Sequence, residues 1–221
     1  MKLPCGPWLT LALLAAGCGT THYARPQGKG NTNLAVSVGG PIVELQEKPV
    51  PMPLATIGVA YGVSDTVDVH GRIHPVLAGF DVIALDAGAT WLALEPNGHI
   101  PALALVGSLF VSFDVSSAGS QGGCATCLIA DLHGVASWAM DRHLVYLGFR
   151  SLLQAYPAPN RMVLAPMAGG ELRVGDLVGL VLEMRWALPL TARTRDDLSF
   201  YAPGDLGVIG VLIGLNLHFG E

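Results

Sequence analysis

The sequence predicts an all-β fold: a single antiparallel, up-and-down transmembrane β-barrel of about ten strands, with about eight or twelve as alternatives. Charged residues make up only 13% of the 221-residue chain and hydrophobic residues 51%, whereas soluble domains carry about 25% charged residues. Large apolar side chains recur at every second position in many segments, which is the side-chain period of a strand. No segment after the leader offers the roughly 20 apolar residues of a spanning helix, and a closed barrel is the other structure that crosses a bilayer.

The first residues have the composition of an export signal. Lys2 supplies a positive charge, residues 8–16 form a short apolar core, and small residues precede Cys18. The apolar stretch is too short to span a membrane, so residues 1–17 are predicted to be a cleaved signal peptide. Residues 14–18, Leu-Ala-Ala-Gly-Cys, resemble the lipobox of bacterial lipoproteins, with Ala15 where Leu is commoner. The resemblance implies a covalent lipid on Cys18, and ordinary cleavage without lipid is the alternative.

The leader is followed by a polar stretch. Residues 18–32 are rich in Gly, Thr and Gln, which predicts a flexible, lipidated tether, and residues 33–221 are assigned to the barrel domain. Cys124 and Cys127 lie in a loop rich in Ser and Gly. A disulfide between them fits an oxidising compartment, whereas a metal site needs more ligands than these two.

The first four predicted strands are residues 33–39, 56–63, 67–76 and 79–94. In the first two, branched apolar residues alternate with small or polar ones, and residues 64–66 form a tight turn. The third has valines on one face and charged or histidine side chains on the other. The fourth is apolar and less regular, and its slip near residues 84–87 predicts a bulge.

The remaining six predicted strands are residues 101–113, 132–140, 145–150, 161–167, 176–190 and 208–219. An Asn-Gly turn precedes the fifth, and residues 141–143 turn the chain between the sixth and seventh. The eighth has the weakest pattern. The ninth and tenth alternate clearly, with Leu180, Leu182, Ile213 and Phe219 on their apolar faces.

Several ionisable side chains stand in mid-strand, opposite the apolar faces, where a small closed barrel places them in its lumen. Charges in a dry interior must be paired, so we predict a hydrogen-bonded polar plug, which His133 and His218 are positioned to join. A charged channel is the alternative. The predicted lumen residues are Asp68, His70, Arg72, His74, Arg150, Glu183 and Arg185.

The connections and the C-terminus carry the resemblance to bacterial outer-membrane β-barrel proteins. Long connections, at residues 44–53, 114–127, 156–160 and 191–205, mostly alternate with short ones, although the link at residues 76–79 is also short. Gly214, Leu217 and Phe219 match the spacing of the insertion signal that ends such barrels. The resemblance implies the outer membrane of a Gram-negative cell, contact with outer-membrane lipids, short turns in the periplasm and a periplasmic N-terminus.

The leading functional expectation is a structural, adhesive or surface-recognition role through the outer loops, with an extracellular ligand or cell-envelope partner. One alternative is a narrow channel or small-ligand carrier, and another is a soluble, lipid-anchored lipocalin-like barrel with its apolar face inside. The third is a lipid-modifying enzyme, for which Ser137 with His133, or Asp68 with His70, are candidates without a supporting G-x-S-x-G motif. The net charge of −5 and the absence of a basic stretch speak against nucleic acid, and no cofactor is expected besides the lipid.

Overall fold

The computed structural model describes residues 24–45, 48–79, 81–115, 126–156, 162–192 and 206–220. Within these ranges the chain forms eleven strands and one short helix. The elements are β1 (Thr32–Leu45), β2 (Lys48–Pro51), β3 (Leu54–Gly62), β4 (Val67–Ile73), α1 (Pro75–Ala78), β5 (Val82–Leu94), β6 (Ala102–Asp114), β7 (Thr126–Met140), β8 (His143–Tyr156), β9 (Met162–Val174), β10 (Val178–Ala192) and β11 (Leu206–Phe219).

Ten of the strands close into one antiparallel barrel. Each strand from β3 to β11 pairs with its neighbour in sequence, and β1 pairs with β3 on one side and β11 on the other. Closure leaves no free sheet edge. The short strand β2 lies outside the cylinder and pairs with the last residues of β1. The predicted ten-stranded, up-and-down barrel is confirmed.

The two ends of the barrel differ. Short connections at residues 63–66, 95–101, 141–142 and 175–177 lie at one end together with the start of β1 and the end of β11. We call this the turn end. The opposite end, which we call the loop end, carries β2, α1, the last residues of β6, β8 and β10 and the first residues of β7, β9 and β11.

Side-chain direction excludes the soluble alternative. Ile213 and Leu182, in the middle of their strands, are 58% and 59% exposed, whereas Glu183 and Arg185 are 0% and 1% exposed. Apolar rows therefore cover the outer wall, and ionic side chains fill the interior. A soluble lipocalin-like barrel requires the reverse arrangement, so that hypothesis is wrong. Among the described residues, no helix is long and apolar enough to cross a membrane.

Exposed aromatic side chains lie towards both ends of the outer wall. Tyr61 and Trp91 stand near the turn end, and Phe113 and Tyr156 stand near the loop end. Aromatic rings at these two levels are typical of the girdles with which membrane barrels meet the lipid headgroups.

The interior of the loop end is apolar. A cluster of buried residues from eight of the barrel strands fills it, and we call this cluster the apolar layer. Met52, before β3, and Leu77, in α1, pack against it, so segments outside the barrel wall help to cover this end of the lumen. Its members are Val43, Ala84, Phe110, Cys127, Ile129, Leu152, Val163, Ala165, Ala187 and Val208.

Two predicted strand bounds were wrong, for different reasons. β7 begins at Thr126 instead of residue 132, because near the loop end both of its faces are apolar, one towards lipid and one towards the apolar layer, and the period-two contrast that marks a strand in sequence is weak there. β9 extends to Val174 instead of residue 167. The missed part lies towards the turn end, where Gly169 and Gly170 interrupt the alternation of side chains.

Two further expectations need correction on the β1–β5 side. The predicted loop over residues 44–53 contains β2, and the predicted third strand ends early because Pro75 starts α1. The predicted bulge near residues 84–87 is absent from the regular β5–β6 register there. The irregularity lies instead between Leu92 and Leu94.

Candidate functional site in the barrel interior

The first ionic cluster joins β4 and β5 near the apolar layer. Arg72 and Asp86 are direct cross-strand partners, and Arg72 Nε donates to Asp86 Oδ1 at 2.6 Å. His74 Nε2 lies 3.0 Å from the other oxygen, Asp86 Oδ2. The His74 ring also meets Phe110 of the apolar layer edge-on, with ring centroids 5.2 Å apart. All four side chains are buried.

The second cluster repeats this composition on β7 and β8. Asp131 and His133 are two residues apart and face the same side of β7, and Arg150 pairs with His133 across the strands. Arg150 contacts both carboxylate oxygens of Asp131, with Nε donating to Oδ1 at 2.9 Å. His133 Nε2 lies 2.5 Å from the same Oδ1. A bidentate guanidinium–carboxylate pair has a fixed geometry and is among the stronger polar contacts in proteins.

His70 is buried in the lumen and interacts electrostatically with Arg72 and Asp86 of the first cluster and with Asp131 and His133 of the second. The two clusters therefore form one continuous polar region across the middle of the lumen.

The third cluster links β8 and β10. Tyr146 donates its hydroxyl proton to Glu183 Oε2 at 2.6 Å, and Arg185 Nε donates to Glu183 Oε1. Glu183 and Arg185 are two residues apart on the inner face of β10. Glycine provides the space that the Tyr146 ring needs: a Cβ at Gly169, its cross-strand partner, would lie 2.5 Å from the ring.

The fourth cluster lies nearest the turn end and centres on Glu171 of β9. Its carboxylate contacts His218 Nε2 at 2.8 Å, Asn216 Nδ2 at 2.9 Å and Arg173 Nε at 3.0 Å. Asn33 of β1 reaches His218 Nδ1 at 3.1 Å, so this cluster spans the seam where the barrel closes.

The residues before β1 enter the turn end of the lumen, and we call residues 24–31 the N-terminal segment. Arg25 donates to Ser137 Oγ at 2.8 Å and to the Ser137 carbonyl at 2.9 Å. The Gln27 backbone N–H donates to Asp68 Oδ2 at 3.3 Å. Ala24 is buried beside Tyr146. Burial lowers the pKa of the Arg25 guanidinium, which nevertheless stays protonated at neutral pH.

Formal charges in the described interior balance. The carboxylates are Asp68, Asp86, Asp131, Glu171 and Glu183, and the guanidiniums are Arg25, Arg72, Arg150, Arg173 and Arg185, five of each. Buried charge is tolerated when it is paired and hydrogen-bonded. Four carboxylates pair with guanidiniums, namely Asp86 with Arg72, Asp131 with Arg150, Glu183 with Arg185 and Glu171 with Arg173. In the described structure Asp68 and Arg25 contact neutral groups instead, so the interior is built mainly of compensated clusters rather than of a row of like charges.

All seven predicted lumen residues lie on the inner wall and are buried. The sequence analysis missed four interior residues. Asp86, Asp131 and Tyr146 bind the predicted residues Arg72, Arg150 and Glu183, respectively, and Glu171 contacts His218. Asp86 fell in the strand judged irregular, and Asp131 lay before the predicted start of its strand. The sequence did contain a signal for Asp131: it stands two residues before His133, so on an extended strand both side chains face the lumen.

The candidate catalytic pairs have separate partners. Ser137 Oγ accepts from Arg25, and His133 pairs with Asp131. Asp68 accepts from the Gln27 N–H. Within the described ranges, no group of three or more His, Cys, Asp or Glu side chains has an arrangement that fits a metal ion.

Two predicted modifications involve residues outside the described ranges. Cys18 lies before residue 24, so its lipidation stays a prediction. Cys124 also lies outside them, while Cys127 is buried in the apolar layer. The Cys124–Cys127 disulfide therefore also stays a prediction, as does the flexible tether for residues 18–23.

No protein-family model matches the chain, and no curated protein matches it. Among solved structures, the translocator domain of the autotransporter NalP from Neisseria meningitidis is similar, with 11% identity, 96% of this chain and 94% of that chain covered, and a TM-score of 0.44. Ail, the attachment invasion locus protein of Yersinia pestis, has 9% identity, coverages of 86% and 99%, and a TM-score of 0.29. The outer membrane protein OprG from Pseudomonas aeruginosa has 9% identity, coverages of 89% and 100%, and a TM-score of 0.28.

The chain's own geometry fixes its architecture independently of these similarities. Ten antiparallel strands close on themselves, apolar side chains cover the outside, and ionic side chains are compensated within. A backbone paired all round and an apolar outer band are what a barrel needs to lie in lipid. The chain is an outer-membrane-type β-barrel.

Proposed function

We propose that this protein is an outer-membrane barrel with a sealed interior, which acts through its loop end as an adhesive or surface-recognition module. The supporting observation is that the described lumen is filled at three levels. The apolar layer fills the loop end, the ionic clusters fill the middle, and the N-terminal segment enters the turn end. Under this proposal the turn end faces the periplasm and Cys18 carries a lipid.

The filled lumen favours a plug over a channel. A permeating ion would have to separate buried pairs such as Asp131 with Arg150, and removing one partner of such a pair costs about 3–5 kcal/mol. It would then have to cross the apolar layer, where Ile129 and Phe110 are buried. Apolar constrictions exclude water and so block ions.

A rigid cylinder that presents loops at one end suits recognition. Binding residues lie disproportionately on loops held by a rigid scaffold, and the two longest stretches between successive strands, residues 115–125 and 193–205, join strands whose adjoining ends lie at the loop end. The turn end offers only short connections of the kind that lie in the periplasm in outer-membrane barrels.

The proposed anchor is compatible with the position of the N-terminal segment. Cys18 precedes Ala24 by six residues, which reach at most about 20 Å when extended. Ala24 is buried inside the lumen towards the turn end, so these six residues have to lead back out through that end for an acyl chain on Cys18 to enter the surrounding leaflet.

Bilayer conductance tests the sealed interior. The purified full-length chain, inserted into planar bilayers, is expected to give no steady current, because the apolar layer and the ionic clusters fill the described lumen. Steady single-channel steps that Arg185→Glu changes or abolishes would contradict the proposal, because Arg185 faces the interior.

Surface exposure and attachment test the role of the loop end. An epitope inserted between Gly122 and Gly123 is expected to be antibody-accessible on intact Gram-negative cells, and the same epitope inserted between Asn97 and Gly98 is the matched control. Replacing residues 116–123 with Gly and Ser at constant length should reduce attachment of these cells to an epithelial monolayer, while an equal replacement at residues 96–99 should not. Equal attachment by all three strains would refute the recognition role.

A further inference from the structure

A small cavity lies at the turn end, between the N-terminal segment and the barrel wall, and we call it the turn-end pocket. Its volume is about 140 Å³. Residues of the N-terminal segment form one side, and side chains of β8 to β11 form the other. The polar side chains in its lining are Arg25, Gln27, Tyr146, Glu171, Arg173, Asn216 and His218, and the Tyr146 hydroxyl is already bound to Glu183.

One buried hydrogen-bond acceptor in the pocket lining, Asn216 Oδ1, has no donor. Asn216 is 3% exposed, and its Oδ1 makes no hydrogen bond. The orientation of the amide is fixed, because Asn216 Nδ2 donates to Glu171 Oε2 at 2.9 Å and a carboxylate only accepts. A buried carbonyl oxygen without a donor is costly, so this atom favours a ligand that brings an N–H or O–H group.

The pocket lining also contains two guanidinium groups, those of Arg25 and Arg173, whose N–H donors are only partly used. Arg25 uses Nε and one Nη to bind Ser137, and Arg173 uses Nε and one Nη to bind Glu171 and His218. In the described structure the second Nη of each guanidinium makes no hydrogen bond. Glu171, the single carboxylate in the lining, already accepts from Arg173, Asn216 and His218. With one carboxylate against two guanidiniums, the lining has a net positive charge, which suits an oxyanion.

We propose that the turn-end pocket binds a short-chain carboxylate that carries a hydroxyl or ammonium group on the carbon next to the carboxylate. The free Nη groups of Arg25 and Arg173 hold the carboxylate, and Asn216 Oδ1 accepts from the neighbouring donor. The volume limits the size, because a water occupies about 30 Å³ and the pocket thus holds roughly four or five waters. A molecule of about six non-hydrogen atoms, such as lactate or alanine, is the expected occupant.

Binding there also joins two parts of the molecule. Arg25 belongs to the N-terminal segment and Arg173 to β9, so a carboxylate held by both fastens the segment to the wall. Ligand binding is therefore expected to protect the segment against tryptic cleavage after Lys29, an exposed residue of the segment, and this readout is separate from affinity.

Calorimetric titration of the full-length chain in detergent micelles tests the proposal, with lactate and alanine as probes. Saturable binding of at least one of them at one site per chain is expected. Acetate, which lacks the donor, and alaninamide, which lacks the carboxylate, should bind at least about tenfold more weakly, the effect of losing one charge-assisted hydrogen bond. Comparison of lactate with alanine distinguishes a hydroxyl from an ammonium as the donor.

Two variants locate the site. Arg173→Gln and Arg25→Gln should each weaken binding about tenfold, whereas Arg142→Gln, at an exposed turn of the same end, should not. Heat-modifiable mobility on gels checks that each variant is folded. If Arg173→Gln does not fold, the affinity of Arg25→Gln alone tests the site, because Arg25 lies outside the barrel strands and its replacement is not expected to prevent folding. Absence of saturable binding by both probes, acetate binding as tight as theirs, or wild-type affinity in Arg25→Gln would overturn the proposal, and none of these results bears on the conductance or attachment tests.

Discussion

Arg150 and Asp131 show how much depends on single side chains in the lumen. Both are buried, and Arg150 contacts both carboxylate oxygens. Arg150→Leu is expected to lower the free energy of unfolding by about 3–5 kcal/mol, because Asp131 is left buried with its charge poorly compensated. Urea unfolding in phospholipid vesicles, followed by tryptophan fluorescence, measures the change.

The paired replacement and a surface pair provide the controls. The double variant Asp131→Leu with Arg150→Leu should recover much of the loss, because it removes both charges. Arg142→Leu should change the unfolding free energy by less than about 1 kcal/mol, since Arg142 and Asp141 are 55% and 89% exposed. If Arg150→Leu lowers the free energy of unfolding as little as Arg142→Leu does, the Asp131–Arg150 pair is solvated in the lumen.

Gly88 illustrates the space that glycine provides beside large interior side chains. A Cβ at Gly88 would lie 2.5 Å from Ser108 Cβ and 2.8 Å from His70 Nε2, whereas a Cβ at Gly107 would meet nothing closer than 3.6 Å. Gly88→Ala should therefore cost about 1–3 kcal/mol of unfolding free energy through overpacking. Gly107→Ala is the matched control and should be nearly neutral. Equal effects in the same urea experiment would show that the inner wall relaxes freely around Gly88.

At this scale the sequence predicted the basic half of the interior better than the acidic half. Arg72, Arg150 and Arg185 stand in clear alternating runs, so their direction follows from the period of the strand. The partners of Arg72 and Arg150 lie on neighbouring strands, so they depend on the strand order and the cross-strand register, which a single strand's pattern does not contain. The partner of Arg185, Glu183, lies on the same strand and was predicted to face the lumen. The turn-end pocket was not predictable at all, because it forms where the N-terminal segment meets four strands.

At the scale of the strand, the outer wall depends on depth in the bilayer. Leu109 lies in the middle of β6 and Leu94 at the end of β5, and both are exposed. Leu109→Arg should cost about 2–4 kcal/mol, and Leu94→Arg only about 0–1 kcal/mol, because an arginine near the interface reaches the headgroups. Unfolding in vesicles of defined lipid measures both. A larger cost at Leu94 than at Leu109 would contradict the assigned membrane band.

Strands were predicted well where their two faces differ and poorly where they do not. β10 and β11 combine apolar and polar faces over most of their length, and their predicted ranges are within two residues of the observed ones. The loop-end part of β7 was missed because Cys127 and Ile129 are as apolar as the lipid-facing side chains beside them. Composition alone does not distinguish an apolar lumen wall from a loop of mixed apolar residues.

At the scale of the whole molecule, the lipid anchor is the main open prediction. Growth with labelled palmitate should label the wild-type chain and leave Cys18→Ala unlabelled, because the Cys18 thiol is the predicted acylation site. Both proteins should fractionate with the outer membrane, since the barrel inserts through its own wall. Label retained in Cys18→Ala would contradict acylation at Cys18, and a soluble Cys18→Ala protein would contradict insertion of the barrel without the lipid.

The barrel wall also has unequal height. β4 has seven residues and β3 nine, whereas β7 and β10 have fifteen each. At about 3.3 Å per residue and a tilt of about 40°, seven residues rise roughly 18 Å, less than the apolar band of about 25 Å in membrane barrels. Acyl chains beside β4 must therefore compress, or the cylinder must lean towards that side, at a cost of fractions of a kcal/mol for each ångström of mismatch. A neighbouring protein that also thins the bilayer shares the cost of this deformation. The β3–β4 flank is therefore expected to attract such proteins through the elasticity of the lipid.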